Sequence, residues 1–91
     1  MSLETRVFLI SNARGLHARA SAKFAETVKK YDCIVEVEKD KTIVEGSSIL
    51  GLLTLCAFCG TEIKVRAQGR ESSHVLLALE ALIKQKFFEE E

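Results

Sequence analysis

The chain has 91 residues, of which 47% are hydrophobic and 29% are charged, with five glycines and no proline. This length and composition indicate one compact globular domain, spanning residues 1–91, rather than a disordered or multidomain chain. Thirteen basic residues balance thirteen acidic ones, so the charge gives no reason to expect nucleic acid or a membrane surface as a partner. Three cysteines, no apolar run of about 20 residues and no signal sequence predict a cytoplasmic protein, which we expect to be a monomer.

The first half of the chain alternates between strand and helix patterns. The run RVFLI at residues 6–10 predicts a first strand, whereas the preceding residues 1–3 are compatible with an expression scar and receive no functional weight. Apolar residues at helical spacing predict an amphipathic helix over residues 18–31; they are Ala20, Phe24, Val28 and Tyr31. Alternation over residues 34–45 then predicts a hairpin that turns near Asp40.

The second half predicts a helix, a strand and a final helix. A serine at position 47 or 48 supplies the N-cap of a short helix in ILGLLTLCAFCG, and Gly60 ends it. The alternating segment EIKVRAQG predicts a strand that ends at Gly69. A serine at position 72 or 73 caps the last helix, which continues until FFEEE frays. The apolar stripe of this helix is Val75, Leu76, Leu79, Leu82 and Ile83.

The resulting order of elements, βαββαβα, predicts the fold class. An α+β chain of this kind closes into a two-layer open-faced sandwich. We expect a mostly antiparallel four-stranded sheet with three helices on one of its faces. No repeat or linker divides the sequence.

His17 lies where a loop is predicted to become the first helix. A helix start leaves several backbone N–H groups without partners and carries the positive end of the helix dipole. The usual capping residues are missing here, because Asn12 lies too far upstream to serve. We therefore interpret His17 as a nucleophile that accepts a phosphoryl group, whose oxygens would bind the N–H groups of Ala18, Arg19 and Ala20.

Two neighbours favour this interpretation of His17. Gly15 permits a backbone conformation that other residues resist and can aim the ring at the helix start, and Arg19 brings a permanent positive charge within reach of the phosphate. The helix dipole disfavours imidazolium, which keeps a lone pair available for attack. The alternative is a surface histidine in a loop, with Arg19 as a solvated charge, and spacing alone does not distinguish the two interpretations.

The motif N-x-x-G-L-H-A-R, residues 12–19, resembles the active-site signature of HPr, the phosphocarrier family of the phosphoenolpyruvate-dependent phosphotransferase system. The resemblance also covers SILGLLTL at residues 48–55, GTEI at residues 60–63 and the βαββαβα order. It implies that enzyme I, which takes phosphate from phosphoenolpyruvate, phosphorylates Nδ1 of His17, and that an enzyme IIA domain receives the group. The chain would then be a stoichiometric carrier without a cofactor, rather than a turnover enzyme.

The chain departs from the family pattern at Ala20, where proline commonly follows the arginine. Proline in a first helical turn fixes φ at little cost in hydrogen bonding, so alanine should loosen the helix start only slightly. The variant GLHARASAKF resembles the branch of the family that serves regulation, often related to nitrogen, rather than sugar uptake. The choice between these branches stays open.

The segment around Ser48 suggests regulation and docking. Ser48 aligns with the serine that HPr kinase/phosphorylase modifies in many members of the family; the alternative is an ordinary N-cap, a role that Ser47 could also fill. The predicted helix is apolar on two sides. We assign one side to the core, namely Leu52, Leu55, Cys56 and Cys59. We assign the other to a partner-binding patch near His17, namely Ile49, Leu50 and Leu53, unless Ile49 turns inward.

The pair C-x-x-C at residues 56–59 is a motif that elsewhere binds metal or performs redox chemistry. Because Cys33 and His74 are scattered, no second ligand pair accompanies it, and we predict buried packing cysteines and no metal. We expect His74 to be an exposed residue rather than a second phosphorylation site. Two other functions compete with phosphate transfer: a regulatory interaction module without carrier activity, and a metal-handling domain, which would place its cysteines where this chain has His17.

Overall fold

The computed structural model describes residues 2–89. Four strands and three helices follow one another in the predicted order; they are β1 (Ser2–Leu9), α1 (Ala18–Lys29), β2 (Ile34–Lys39), β3 (Thr42–Glu45), α2 (Ile49–Thr54), β4 (Glu62–Gly69) and α3 (Ser72–Lys84). A short left-handed turn, Lys86–Phe88, follows α3 and is called the C-terminal turn below. The prediction of the βαββαβα order is therefore confirmed.

The four strands form one sheet in the order β1-β4-β2-β3, and every neighbouring pair is antiparallel. The expected open-faced sandwich is confirmed, because alternate side chains of β2 and β4 are buried beneath the helices and their neighbours face outward. The buried hydrophobic side chains of the strands are Phe8, Val35, Val37, Ile63, Val65 and Ala67. This core holds the strand and helix ends from which the loops of the candidate site extend.

Two predicted regions match the structure closely. The hairpin turns at Asp40 and Lys41, whose φ angles of 49° and 70° are those of a tight two-residue turn. All five apolar residues predicted for the stripe of α3 are buried. In α1, the predicted apolar residues are buried except Tyr31, which is half-buried and lies beyond the end of the helix at Lys29.

The first strand is longer than its sequence pattern. β1 begins at Ser2, which pairs with Gly69, and it ends one residue before Ile10. Leu3 pairs with Gln68 in the same ladder, so Ser2 and Leu3 are part of the sheet. Met1 lies outside the described residues.

The predicted end of α2 and the predicted burial of its cysteines are both wrong. The helix stops at Thr54, and Cys56 has a φ of 52°, a left-handed conformation that turns the chain out of the helix. Cys56 and Cys59 are consequently exposed. Leu55 and Ala57 fill the core at this point instead.

The start and the end of the third helical region also differ from prediction. Glu71, not a serine, is the N-cap residue of α3, and the hydroxyls of Ser72 and Ser73 both donate to the carboxylate of Glu4 on β1. The chain does not fray directly after α3. Phe87 is fully buried, so the segment up to residue 89 is packed against the core. Of the predicted frayed segment, only residues 90 and 91 lie outside the described part.

Candidate functional site

His17 is the N-cap residue of α1, and no side chain among residues 2–89 caps the helix in its place. The first helical hydrogen bond runs from the N–H of Ser21 to the carbonyl oxygen of His17, at 2.8 Å. The N–H groups of Ala18, Arg19 and Ala20 therefore have no acceptor within the helix. The helix start is a place where an anion finds hydrogen-bond donors and a favourable dipole.

The loop before His17 is held rigidly by a close backbone contact at Gly15. Gly15 has a φ of +64°, and a Cβ atom at this position would lie 2.4 Å from the carbonyl oxygen of Ala57. That carbonyl accepts a hydrogen bond of 2.9 Å from the N–H of Leu16. Glycine is thus required both by the left-handed conformation and by the packing of two loops, and this contact fixes where His17 begins the helix.

A carboxylate from the far end of the chain contacts the ring of His17. Nε2 of His17 is hydrogen-bonded to one oxygen of Glu89, and the other oxygen accepts a hydrogen bond of 3.0 Å from Nδ2 of Asn12. Asn12 is fully buried and also donates to the carbonyl oxygen of Gly15, at 2.8 Å. His17, the loop at residues 12–15 and Glu89 therefore form one hydrogen-bonded group.

The environment of Glu89 favours its charged form. Burial raises the pKa of Glu89, but the hydrogen bonds from His17 and Asn12 and the nearby charge of Arg14 outweigh burial, so its pKa is lowered. The carboxylate is consequently ionised at neutral pH and acts only as an acceptor of hydrogen bonds.

Three basic residues line a cleft beside this group. Arg14, Arg19 and Lys23 surround a space of about 300 Å³, which Phe88 and Glu89 close on the C-terminal side. Arg14 and Arg19 carry guanidinium groups and Lys23 carries an ammonium group, so all three are cations. The region next to His17 is therefore suited to hold a dianion such as a phosphoryl group.

Of the residues predicted to dock partners, Leu53 is the one that lines a groove with His17. Leu53 shares a shallow groove with His17 and Phe58, whereas Ile49 and Leu50 do not line that groove. Ile49 is 38% exposed and Leu50 is 77% exposed, so Ile49 does not turn inward as the alternative held. Leu53 is half-buried.

Ser48, rather than Ser47, is the N-cap of α2. Its hydroxyl oxygen accepts a hydrogen bond of 2.9 Å from the N–H of Gly51. The side chain is half-buried. Ser48 therefore fills the capping role that the sequence left open between the two serines.

Sequence reasoning did not identify several residues of the site. Arg14 is one of the variable positions of the N-x-x-G-L-H-A-R motif, and the apolar spacing of α1 does not single out Lys23. Glu89 was placed in a fraying end, because nothing in a local pattern shows that a chain folds back. The one available signal was the pair Phe87–Phe88, since an apolar pair after a helix predicts a buried anchor rather than a free end.

No helix within residues 2–89 is long and apolar enough to cross a membrane. In the same residues, no three His, Cys, Asp or Glu side chains are grouped so that they could hold a metal ion.

The fold and the site together define a small α+β domain that presents one histidine, at the uncapped start of a helix, to an anion. A family model described as "PTS HPr component phosphorylation site" matches residues 4–85. The chain therefore belongs to the HPr family, the phosphocarriers of the phosphotransferase system.

Individual relatives agree with this assignment. The chain is 42% identical over 82 residues to the phosphocarrier protein HPr of Neisseria meningitidis serogroup A, which covers 90% of this chain and 92% of that protein. The crystal structure of HPr-C-His from Thermoanaerobacter tengcongensis superposes with a TM-score of 0.92 at 36% identity, covering 97% and 99% of the two chains. A structure described as an HPr dimer from the same organism has a TM-score of 0.77 at 38% identity, covering 90% and 94%.

Proposed function

We propose that His17 accepts a phosphoryl group from phosphorylated enzyme I and passes it to an enzyme IIA domain. The observation that carries this proposal is the position of His17 at the uncapped N-terminus of α1, beside the basic cleft lined by Arg14, Arg19 and Lys23. The chain acts in this role as one cytoplasmic carrier domain that takes up and releases the group without a cofactor.

Each residue around His17 has a defined part in the transfer. Nδ1 attacks phosphorus with its lone pair as the bond between phosphorus and the donor breaks, and that electron pair returns to the donor. The N–H groups of Ala18, Arg19 and Ala20 then bind phosphate oxygens, while the Arg19 guanidinium balances their charge. Gly15 allows the loop conformation that holds the ring at this position.

We assign docking of both partners to the apolar surface of α2, of which Leu53 lines the groove next to His17. Leu50 is the most exposed of the large hydrophobic side chains of the described residues, and Ile49 and Leu53 flank it on α2. An exposed apolar patch beside a reactive group is the usual design of a transient interface. We propose that the chain is a monomer when it docks, although the Thermoanaerobacter relative has been described as a dimer.

A direct test uses the purified chain with enzyme I and phosphoenolpyruvate. We expect one phosphate per chain, lost in acid and stable in base, and peptide mapping by mass spectrometry is expected to locate it on the peptide that contains His17. No gain of phosphate, or a phosphate mapped to His74, would contradict the proposal.

We propose that phosphorylation of Ser48 by HPr kinase/phosphorylase regulates the carrier. A phosphate at this N-cap can keep accepting the hydrogen bond from Gly51, so α2 should survive the modification. It adds a charge of about −2 next to the docking patch. We therefore expect the modified chain to accept phosphate from enzyme I about tenfold more slowly.

The regulatory proposal is tested with the kinase and ATP on three chains. The wild type and Ser47→Ala are expected to incorporate phosphate, and Ser48→Ala is expected to incorporate none. Labelling of Ser48→Ala, or an unchanged rate of transfer from enzyme I to the labelled wild type, argues against regulation through this serine.

A further inference from the structure

The ring of His17 has two nitrogens, and the structure gives one of them a defined partner. Nε2 is hydrogen-bonded to the carboxylate of Glu89. An ionised carboxylate can only accept a hydrogen bond, so the hydrogen of a neutral ring must lie on Nε2. Nδ1 then carries the lone pair, because the bond made by one ring nitrogen decides the state of the other.

Glu89 is held firmly enough to impose this choice. Its second oxygen is bound by Asn12, which is itself buried and tied to Gly15. Two residues earlier, Phe87 is fully buried, and its carbonyl oxygen accepts a hydrogen bond of 2.5 Å from Nζ of Lys23. The carboxylate thus approaches the ring from an anchored turn, and its side chain is only 9% exposed.

The contact between His17 and Glu89 is not part of the match to the family model. The family model matches residues 4–85, so Glu89 and the anchor at Phe87 lie beyond it. The contact is therefore an observation of this structure and is not implied by the match to the family model.

We propose that Glu89 is a positioning residue, which holds His17 as the Nε2–H tautomer so that Nδ1 is the nucleophile. This inference rests on the proposed transfer to His17. As Nδ1 forms its bond to phosphorus, the hydrogen on Nε2 stays in place and the ring becomes positively charged. The Glu89 carboxylate stabilises that charge during the transfer, and the electron pair of the broken bond leaves with the donor.

The alternative role for Glu89 is to block the site. A carboxylate beside His17 could occupy the place of the incoming phosphate and slow the reaction until the C-terminal segment moves. The contact to Nε2 favours positioning, because a carboxylate that blocked the site would be expected to contact Nδ1, the nitrogen that reacts. The two roles predict rate changes of opposite sign on removal of the carboxylate.

The test compares wild type, Glu89→Gln and a control, Glu26→Gln, which removes the same charge from an exposed position of α1. Nitrogen-15 NMR of labelled histidine at neutral pH reports which ring nitrogen carries the hydrogen. We expect wild type and Glu26→Gln to show the Nε2–H form. Glu89→Gln should show a mixture, because an amide can either donate or accept.

The rate measurement completes the test. We expect Glu89→Gln to lower the maximal rate of phosphate acceptance from enzyme I about tenfold with little change in KM. Glu89→Asp is expected to recover part of that loss. An unchanged tautomer in Glu89→Gln, or a faster reaction, would overturn the proposal.

The tautomer measurement also separates this inference from the proposed function. It requires no phosphate donor, so it reports on Glu89 even if the wild type accepts no phosphate. A wild type that shows the Nε2–H form but gains no phosphate would refute the carrier function alone. If the wild type gains phosphate but Glu89→Gln has the same tautomer as the wild type, positioning alone is refuted.

Discussion

Replacing His17 with alanine is expected to abolish the transfer of phosphate from enzyme I and phosphoenolpyruvate to this chain. The ring supplies the attacking lone pair, and the remaining N–H groups and guanidinium can bind phosphate but cannot form a covalent bond to it. The measurement is the phosphate incorporated per chain at long reaction times. We expect a complete loss rather than a slower approach to the same level.

His74→Ala is the matched control for this substitution. His74 lies in the first turn of α3 (Ser72–Lys84), is exposed and stands at a helix start like His17. We expect His74→Ala to incorporate as much phosphate as the wild type. Phosphate on the His17→Ala chain, or its loss in His74→Ala, would show that the reactive histidine has been assigned wrongly.

The fold of His17→Ala should remain intact, which makes the loss of transfer interpretable. The side chain of His17 is 19% exposed and makes its hydrogen bond at the edge of the molecule. Loss of such a bond is expected to lower the free energy of unfolding by about 1–2 kcal/mol. Urea unfolding followed by circular dichroism checks this.

Local sequence patterns predicted the fold where burial is periodic. The stripe of α3 and the alternation of β2 and β4 each repeat one preference over several residues, so an isolated exception does not change the result. The hairpin at Asp40 was predicted from the polar residues between two alternating runs. The order of these elements decides the fold class, and the resemblance to the family supports the same order.

The same patterns failed where a single residue leaves the helix. At Cys56, a left-handed backbone conformation ends α2 although the apolar sequence continues, and both cysteines turn outward as a result. At the start of α3, the serines bind Glu4 from a distant strand instead of capping the helix. Tertiary contacts override local preference at such positions.

The site was predicted only in the part that is contiguous in sequence. His17, Gly15 and Arg19 lie within five residues, so their spacing could be interpreted directly. The contact between His17 and Glu89 joins residues 72 positions apart. It depends on a chain reversal by three residues with positive φ, Lys86, Phe87 and Phe88, which no helix or strand period predicts.

Phe87→Ala is expected to destabilise the chain strongly and to release Glu89 from His17. Phe87 is fully buried in the core cluster, and truncating such a side chain leaves a cavity that costs about 3–5 kcal/mol. This is a large part of the stability of about 5–15 kcal/mol typical of single domains. The measurement is the free energy of unfolding in urea.

The neighbouring phenylalanine provides the matched control. Phe88 is 64% exposed, and its ring centroid lies 5.7 Å from Nζ of Lys23, so Phe88→Ala is expected to cost no more than about 1 kcal/mol. If Phe87 anchors the C-terminal turn, histidine NMR of the folded Phe87→Ala chain will show the same tautomer mixture as Glu89→Gln. Equal destabilisation by the two alanine variants, or an unchanged tautomer in Phe87→Ala, would mean that the turn does not hold Glu89 on the ring.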